Sequence, residues 1–185
     1  MLLEGSNVTG CFCSPVCKSK GKKPCCILKL IGNVEPEMKL PKYQLKAGQG
    51  LSSYEFISEG PKGLIVKRVQ FTAINQEQVY NLAFGDKGLD NDEINDLAIS
   101  NNGDSEKVLA TVIAAVYAFC DKHPDIWIFA TGSTNARTRL YRMGITKYLE
   151  EIRADFELYG EFNEEWEYFE AGKNYTSFLA KRKET

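Results

Sequence analysis

The feature that most constrains the fold is a predicted helix that is apolar on nearly every side. Asn102, Asp104 or Ser105 can cap its N-terminus, and Pro124 stops it. Larger apolar residues form a stripe along it, and three alanines form the back: Val108, Leu109, Val112, Ile113, Ala115, Val116, Phe119, Cys120, with Ala110, Ala114 and Ala118. A helix of this kind must be largely buried, so the rest of the chain has to cover it.

Segments typical of strands lie on both sides of this helix. The predicted strands cover residues 54–57, 63–73, 79–84, 94–100 and 126–130, and the last two, 156–162 and 166–169, form a hairpin. Short connections among the first four strands favour antiparallel pairing. The continuously apolar strand 126–130 is expected at the centre of the sheet.

Two further helices are predicted, one from Asn135 to Ala154 and a short closing helix from Tyr175 to Lys181. Strands come first, and helices and strands then mix, which indicates an α+β protein rather than a doubly wound one. We predict a mostly antiparallel sheet packed by two principal helices. Tyr141 and Tyr148 lie on the apolar stripe of the second helix, where core packing is the expected role.

The first 37 residues differ from the rest of the chain. They carry a formal charge of +2 within a total of −2, and they hold five of the six cysteines. We predict that residues 1–37 are a leader, disordered or not native, and that residues 38–185 form one domain. A weaker alternative is binding of a soft metal by the thiolates. These are Cys11, Cys13, Cys17, Cys25 and Cys26. Their spacing lacks the paired C-x2-C of zinc fingers.

Composition and missing motifs exclude several classes of function. The weak negative charge provides no general field for nucleic acid, so a phosphate site must be a local patch. No apolar run approaches 18 residues, which predicts no membrane helix. His123 is the only histidine, and we expect it near a helix C-terminus rather than in a catalytic triad or a zinc site. Nucleotide-binding glycine motifs are absent, and no cofactor is predicted.

The strongest candidate site follows strand 126–130, where a short turn enters a helix that carries three arginines. Helix N-terminal N–H groups attract anions, hydroxyls add donors, and the guanidinium fork suits phosphate or carboxylate. The predicted anion-binding residues are Thr131, Gly132, Ser133, Thr134, Arg137, Arg139 and Arg142. Arginine at a helix N-terminus opposes the helix dipole, which favours a functional role.

A structural interpretation of the same residues stays open. Serine and threonine are ordinary helix caps, and Arg137 is able to pair with Asp104 or with a carboxylate of the 86–96 loop. A second junction, formed by Asn102, Asp104 and Ser105, supports the site if it lies beside the first one. Asp104 would then act as a general base or orient Arg137.

An acidic loop separates the third predicted strand from the fourth. It carries Asp86, Asp90, Asp92, Glu93 and Asp96, and close carboxylates attract divalent cations. The calcium-loop pattern is absent, so a solvated loop is the favoured interpretation.

Four segments resemble a family of small uncharacterised bacterial proteins, a family of unknown function. They read YEFISEGPKG, VYNLAFGD, NNGDSEKVLATV and, most distinctively, FATGSTNARTRLYRMGI. The resemblance runs from about Met38 to Lys183. It implies a bacterial cytosolic α+β domain and carries no established activity.

Two functional hypotheses therefore stand. In the first, the arginine junction binds a phosphorylated small molecule, a nucleotide or an RNA backbone, as in a toxin-like RNase or nucleotide-modifying protein of a two-gene module. In the second, the protein is a non-catalytic interaction module whose arginines are structural or face an acidic protein partner. The sequence offers no clear general base, so it leaves open whether the protein is an enzyme.

Overall fold

One sheet and three helices make up the part of the chain that the structure, a computed structural model, describes: residues 41–48, 50, 52–74, 78–88, 94–95 and 100–184. The nine strands are β1 (Lys46–Ala47), β2 (Ser53–Gly60), β3 (Gly63–Ala73), β4 (Val79–Lys87), β5 (Ile94–Asn95), β6 (Trp127–Thr131), β7 (Phe156–Phe162), β8 (Glu165–Tyr168) and β9 (Ser177–Arg182). The helices are α1 (Ser105–Cys120), α2 (Asn135–Lys147) and α3 (Leu149–Asp155). The predicted α+β class with a mostly antiparallel sheet is confirmed.

The strand order determines where the helices begin. The order is β1-β2-β3-β4-β6-β9-β7-β8, with β5 paired to β4 beside this path. Only β4 and β6 pair in parallel among the described strands, and α1 lies in the connection between them. Parallel strands end at the same edge of a sheet, so α2, which comes after β6, begins near the end of β4. The prediction that the strand after α1 is central is confirmed, since β6 pairs with both β4 and β9.

The three helices pack on one face of the sheet. On α1, Phe119 stacks on Phe71 of β3 at 4.0 Å between ring centroids. Tyr117 of α1 meets Phe156 of β7 edge to face at 4.9 Å. Cys120 is buried in this core, as predicted, and burial raises the pKa of its thiol to about 11, so it stays protonated at neutral pH.

The predicted closing helix at 175–181 is wrong, because residues 177–182 form strand β9. This strand lies between β6 and β7 and pairs antiparallel with both. Its sequence, SFLAKR, holds good helix formers, so local propensity favours a helix. Two complete neighbouring ladders and the burial of Phe178 override that propensity.

The long helix predicted from Asn135 to Ala154 is two helices. Tyr148 leaves the helical region, with φ −112° and ψ 24°, and separates α2 from α3. This break lets Leu149 and Ile152 join the core. Tyr148 is buried and Tyr141 is partly buried against the core, so the predicted core packing of both tyrosines is confirmed.

Several other predictions fall on parts of the chain outside the described residues. Strand 94–100 is represented by Ile94–Asn95, and residues 96–99 lie outside the description. The leader, its five cysteines and the proposed soft-metal site also lie outside it. The division into residues 1–37 and 38–185 therefore stays a prediction.

Replacing Phe119 with alanine is expected to lower the free energy of unfolding by about 3–5 kcal/mol. The ring is 1% exposed and contacts β3 directly, so truncation leaves a cavity between α1 and the sheet. Met143→Ala is the control, because Met143 is 57% exposed and its loss should cost less than about 0.5 kcal/mol. Urea unfolding measures both, and equal losses would contradict this packing.

Candidate functional site

A cavity of about 260 Å³ lies where β4 ends and where α1 and α2 begin. Its lining combines charged and polar side chains with a few apolar ones. The lining residues are Lys67, Phe84, Gly85, Asp86, Ser100, Asn101, Asn102, Asp104, Ser105, Val108, Thr134, Ala136, Arg137, Leu140 and Tyr141. The two predicted strand-to-helix junctions therefore meet at one cavity, as the parallel pairing of β4 and β6 requires.

The α2 side of the cavity is a capped helix N-terminus. Thr134 has extended backbone angles, and its hydroxyl accepts a hydrogen bond from the Arg137 N–H at 3.3 Å. The turn before it packs tightly, because a Cβ on Gly132 would lie 2.3 Å from the backbone nitrogen of Thr138. Glycine is required there, so the turn and the start of α2 stay in contact.

The Arg137 side chain reaches from the first turn of α2 to strand β4. Its Nη1 donates to the backbone carbonyl of Phe84 at 2.8 Å, and the residue is half-buried. A guanidinium carries five N–H donors in a rigid plane, so this bond orients the whole group at the cavity wall.

Lys67 and Asp86 form a cross-strand ion pair in the same wall. The two residues are direct partners in the register of β3 and β4. The Lys67 ammonium donates to the Asp86 carboxylate and to the Ser100 hydroxyl. The Lys67 side chain is 6% exposed, against 18% for Asp86. Within the described part of the chain, this buried cation is therefore paired with one carboxylate, Asp86, and has the Ser100 hydroxyl as second acceptor.

Asp104 belongs to a hydrogen-bonded network behind the cavity. Its Oδ2 accepts from the Tyr43 hydroxyl at 2.8 Å and from the Ser58 hydroxyl at 2.6 Å. Asn102 donates to the same Ser58 oxygen at 3.1 Å and to the Gly63 carbonyl at 3.0 Å. Burial raises the pKa of the Tyr43 phenol, as does the nearby Asp104 carboxylate, so this donor keeps its proton. The network fixes the position of Asp104 at the start of α1.

The structure sorts the predicted anion-binding residues into two groups. Thr134 and Arg137 line the cavity, as do the supporting residues Asn102, Asp104 and Ser105. The others are not among the cavity's lining residues: Thr131, Gly132, Ser133, Arg139 and Arg142.

The residues outside the cavity have other surroundings. The Thr131 hydroxyl donates to the Thr176 carbonyl at 3.1 Å, on the β9 side of the turn. Arg139 is exposed and Arg142 is half-buried. The predicted anion site therefore includes residues of the turn and of α2 that do not line the cavity.

Lys67 and Ser100 are site residues that the sequence reasoning missed. A signal for Lys67 was present, because it alternates in phase with Val69 and Phe71 and so faces the core side of β3. A lysine on the apolar face of a strand needs a buried partner. Asp86, which was assigned to a solvated acidic loop, is that partner. Asp90, Asp92, Glu93 and Asp96 lie outside the described residues.

The single histidine packs against the end of α1. His123 lies just past α1, where its backbone N–H donates to the Phe119 carbonyl at 3.1 Å and its ring packs on the Phe119 ring at 4.5 Å. Among the described residues, no group of three or more histidine, cysteine or acidic residues is arranged to hold a metal ion. Within the same residues, no helix combines the length and the apolar character that crossing a membrane would need.

These features define an α+β domain with a polar cavity at the meeting point of two helix N-termini. The chain belongs to a family of unknown function, DUF6934, whose family model matches residues 39–183. No significant match was found among curated proteins or among solved structures.

Replacing Asp86 of the buried ion pair should lower the free energy of unfolding more than replacing Lys67 does. Asp86→Ala leaves the Lys67 ammonium without a counter-charge, and we expect a loss of about 3 kcal/mol. Lys67→Met removes the more deeply buried charge and fills a similar volume. The Asp86 carboxylate that remains is 18% exposed and lines the cavity, where water can solvate it, so a smaller loss of less than about 1.5 kcal/mol is expected.

Chemical denaturation of both variants provides the comparison. Glu106→Ala is the matched control, because Glu106 pairs with Lys147 in an ion pair whose side chains are 76% and 49% exposed. Such exposed pairs contribute less than about 1 kcal/mol. If Lys67→Met lowered the free energy of unfolding more than Asp86→Ala does, the ammonium would contribute net stability to the fold and the prediction would be wrong.

Proposed function

We propose that this protein binds a small anionic ligand, through a phosphate or carboxylate group, in the cavity between β4 and the N-termini of α1 and α2. The observation that carries the proposal is that this single cavity is lined by the first residues of both helices, by the guanidinium of Arg137 and by the buried ammonium of Lys67. Each of these groups is a recognised element of anion sites.

The balance of charge decides how strong the attraction is. Lys67 and Arg137 contribute two positive charges to the cavity wall, and Asp86 and Asp104 contribute two negative charges. The formal charges of the described lining residues cancel, so the attraction for an anion comes from the two helix N-termini and from directed donors. A helix N-terminus carries about half a positive elementary charge. Two of them at one cavity supply the positive bias that the side chains lack.

The geometry supports binding more directly than catalysis. Asp104 is the carboxylate on which an acid–base mechanism would depend, and its Oδ2 already accepts two hydroxyl hydrogen bonds. This arrangement suits a group that holds the cavity wall in place. The RNase and nucleotide-modifying activities are hypotheses about a reaction of the bound anion, and each would need a general base other than Asp104.

An interaction module is the second candidate function. It is favoured by Arg139, which is exposed on α2 and does not line the cavity. An acidic protein partner would bind this outer surface of α2, and cavity variants would leave such binding unchanged.

Replacing Arg137 with alanine should abolish ligand-induced stabilisation of the full-length protein. A ligand at 100 times its Kd adds about 2.7 kcal/mol to the folded state. In a protein of this size that corresponds to a rise in Tm of roughly 5–10 °C. A thermal-shift series with inorganic phosphate, mononucleotides, small carboxylates and short RNA measures this rise in the parent and in the variant.

Two further variants separate loss of binding from loss of stability. Arg137→Lys keeps the charge but loses the planar fork, so binding should weaken without disappearing. Lys122→Ala removes an exposed positive charge beyond the far end of α1 and should leave the Tm rise intact. A full Tm rise in Arg137→Ala would refute the proposal. Absence of any rise in the parent, with earlier melting of Arg137→Ala, would assign this arginine to the fold.

A further inference from the structure

A second cavity, of about 130 Å³, lies between the helices and the sheet. Its walls are hydrocarbon and aromatic, formed by residues such as Leu82, Val112, Ile128, Ile145 and Phe178. These side chains come from α1, α2, β4, β6 and β9, so the cavity is built into the core of the domain.

The apolar cavity continues directly from the polar one. Tyr141 lines both. On α2, Tyr141 lies four residues beyond Arg137, a rise of about 6 Å along the helix. On α1, Val112 of the apolar cavity likewise lies four residues beyond Val108 of the polar cavity.

Strand β4 shows the same order along its core-facing side. Phe84 lines the polar cavity, and Leu82, two residues earlier on the same face, lines the apolar one. Three different elements therefore pass from polar to apolar lining in the same direction. The two cavities therefore lie end to end between the helices and the sheet, with Tyr141 in the wall of both.

The chemistry of the walls limits what the deeper cavity accepts. Among the described residues that line it, the side-chain polar atoms are the hydroxyls of Tyr117 and Tyr141, and the Tyr117 hydroxyl donates to Asp155 at 2.7 Å. A nucleobase or a sugar placed there would bury amide, amine or hydroxyl groups with few partners, which costs several kcal/mol in general. A hydrocarbon group has no such cost.

The volume sets the size of that group. A dry apolar cavity of about 150 Å³ in another protein binds benzene. The cavity here is of similar volume, so it matches one six-membered ring or a chain of a few carbons.

We propose that the ligand is a small amphiphile, with an anionic head at Lys67 and Arg137 and a single aryl or short alkyl group in the apolar cavity. This inference rests on the proposed anion-binding function and names the class of ligand. It selects aryl or alkyl phosphates and carboxylates over nucleotides and RNA.

Four probes test the two halves of the site in the full-length protein. Inorganic phosphate tests the head group alone, and benzene tests the apolar cavity alone. Phenyl phosphate combines the two, and adenosine monophosphate replaces the hydrocarbon by a sugar and a base. Calorimetric titration should give phenyl phosphate an affinity at least tenfold above those of inorganic phosphate and adenosine monophosphate.

Two matched variants test whether the apolar cavity causes the higher affinity for phenyl phosphate. Ala130 lines the apolar cavity from β6, and Ala130→Val should fill part of it. The tenfold preference for phenyl phosphate should then disappear while phosphate still binds. Ala83→Val is the control, because Ala83 alternates with Leu82 and Phe84 and so faces the other side of the sheet. It should keep the preference.

The outcomes separate this inference from the function on which it rests. If phosphate and phenyl phosphate bind equally, the anion site stands and the amphiphile is refuted. If benzene binds but neither phosphate does, the anion-binding function fails and the amphiphile fails with it. If adenosine monophosphate binds as tightly as phenyl phosphate, the ligand is a nucleotide and the inference is wrong. The ligand series in the parent protein decides these cases even if Ala130→Val does not fold.

Discussion

The parallel pairing of β4 with β6 is the constraint on which the rest of the structure depends. An antiparallel sheet places successive strand ends at opposite edges, and hairpins then suffice as connections. A parallel pair needs a long crossover, and the nearly all-apolar α1 lies in that crossover. Because both strands run the same way, α2 leaves β6 at the edge where β4 ends. The meeting of the two helix N-termini, and the cavity between them, result from this one pairing.

The Lys67–Asp86 pair places two charged side chains on the core-facing side of the sheet, beside the polar cavity. A lysine on the core face of β3 carries a desolvation cost, which only a close counter-charge and a further acceptor offset. The register of β3 and β4 places Asp86 directly opposite, and Ser100 supplies the second acceptor. A hydrophobic pair would fill the position at lower cost. The proposed anion site would give this ammonium a role other than stabilising the fold.

Much of the fold could be predicted from the sequence, and the exceptions have identifiable causes. Strand and helix periodicity located α1, β3 and β6, because each is long or strongly apolar. The final strand was mistaken for a helix because its Phe-Leu-Ala run has no strand signature of its own, and its two neighbours decide its conformation. At the site, Arg137 and Asp104 were recognisable at helix starts. Their sharing of a cavity was left open, since it depends on β6 pairing with β4, and no local sequence pattern specifies which strand is the neighbour of β6.

The apolar cavity beside the polar one lowers the packing density of the core. An enclosed cavity costs a core about 24 cal/mol for each Å³ left behind. The apolar cavity of about 130 Å³ is partly open, so roughly 3 kcal/mol is the upper limit of the packing free energy lost there. Folded domains are stable by only about 5–15 kcal/mol in total. Larger side chains at Ala130 of β6 or Ala180 of β9, which both line this cavity, would fill part of it. Gly144 also lines the cavity, but a Cβ there would lie only 2.9 Å from Cδ1 of Leu109, so the close packing of α1 and α2 restricts this position. The small side chains of Ala130 and Ala180 leave room for the aryl or alkyl group of the proposed ligand.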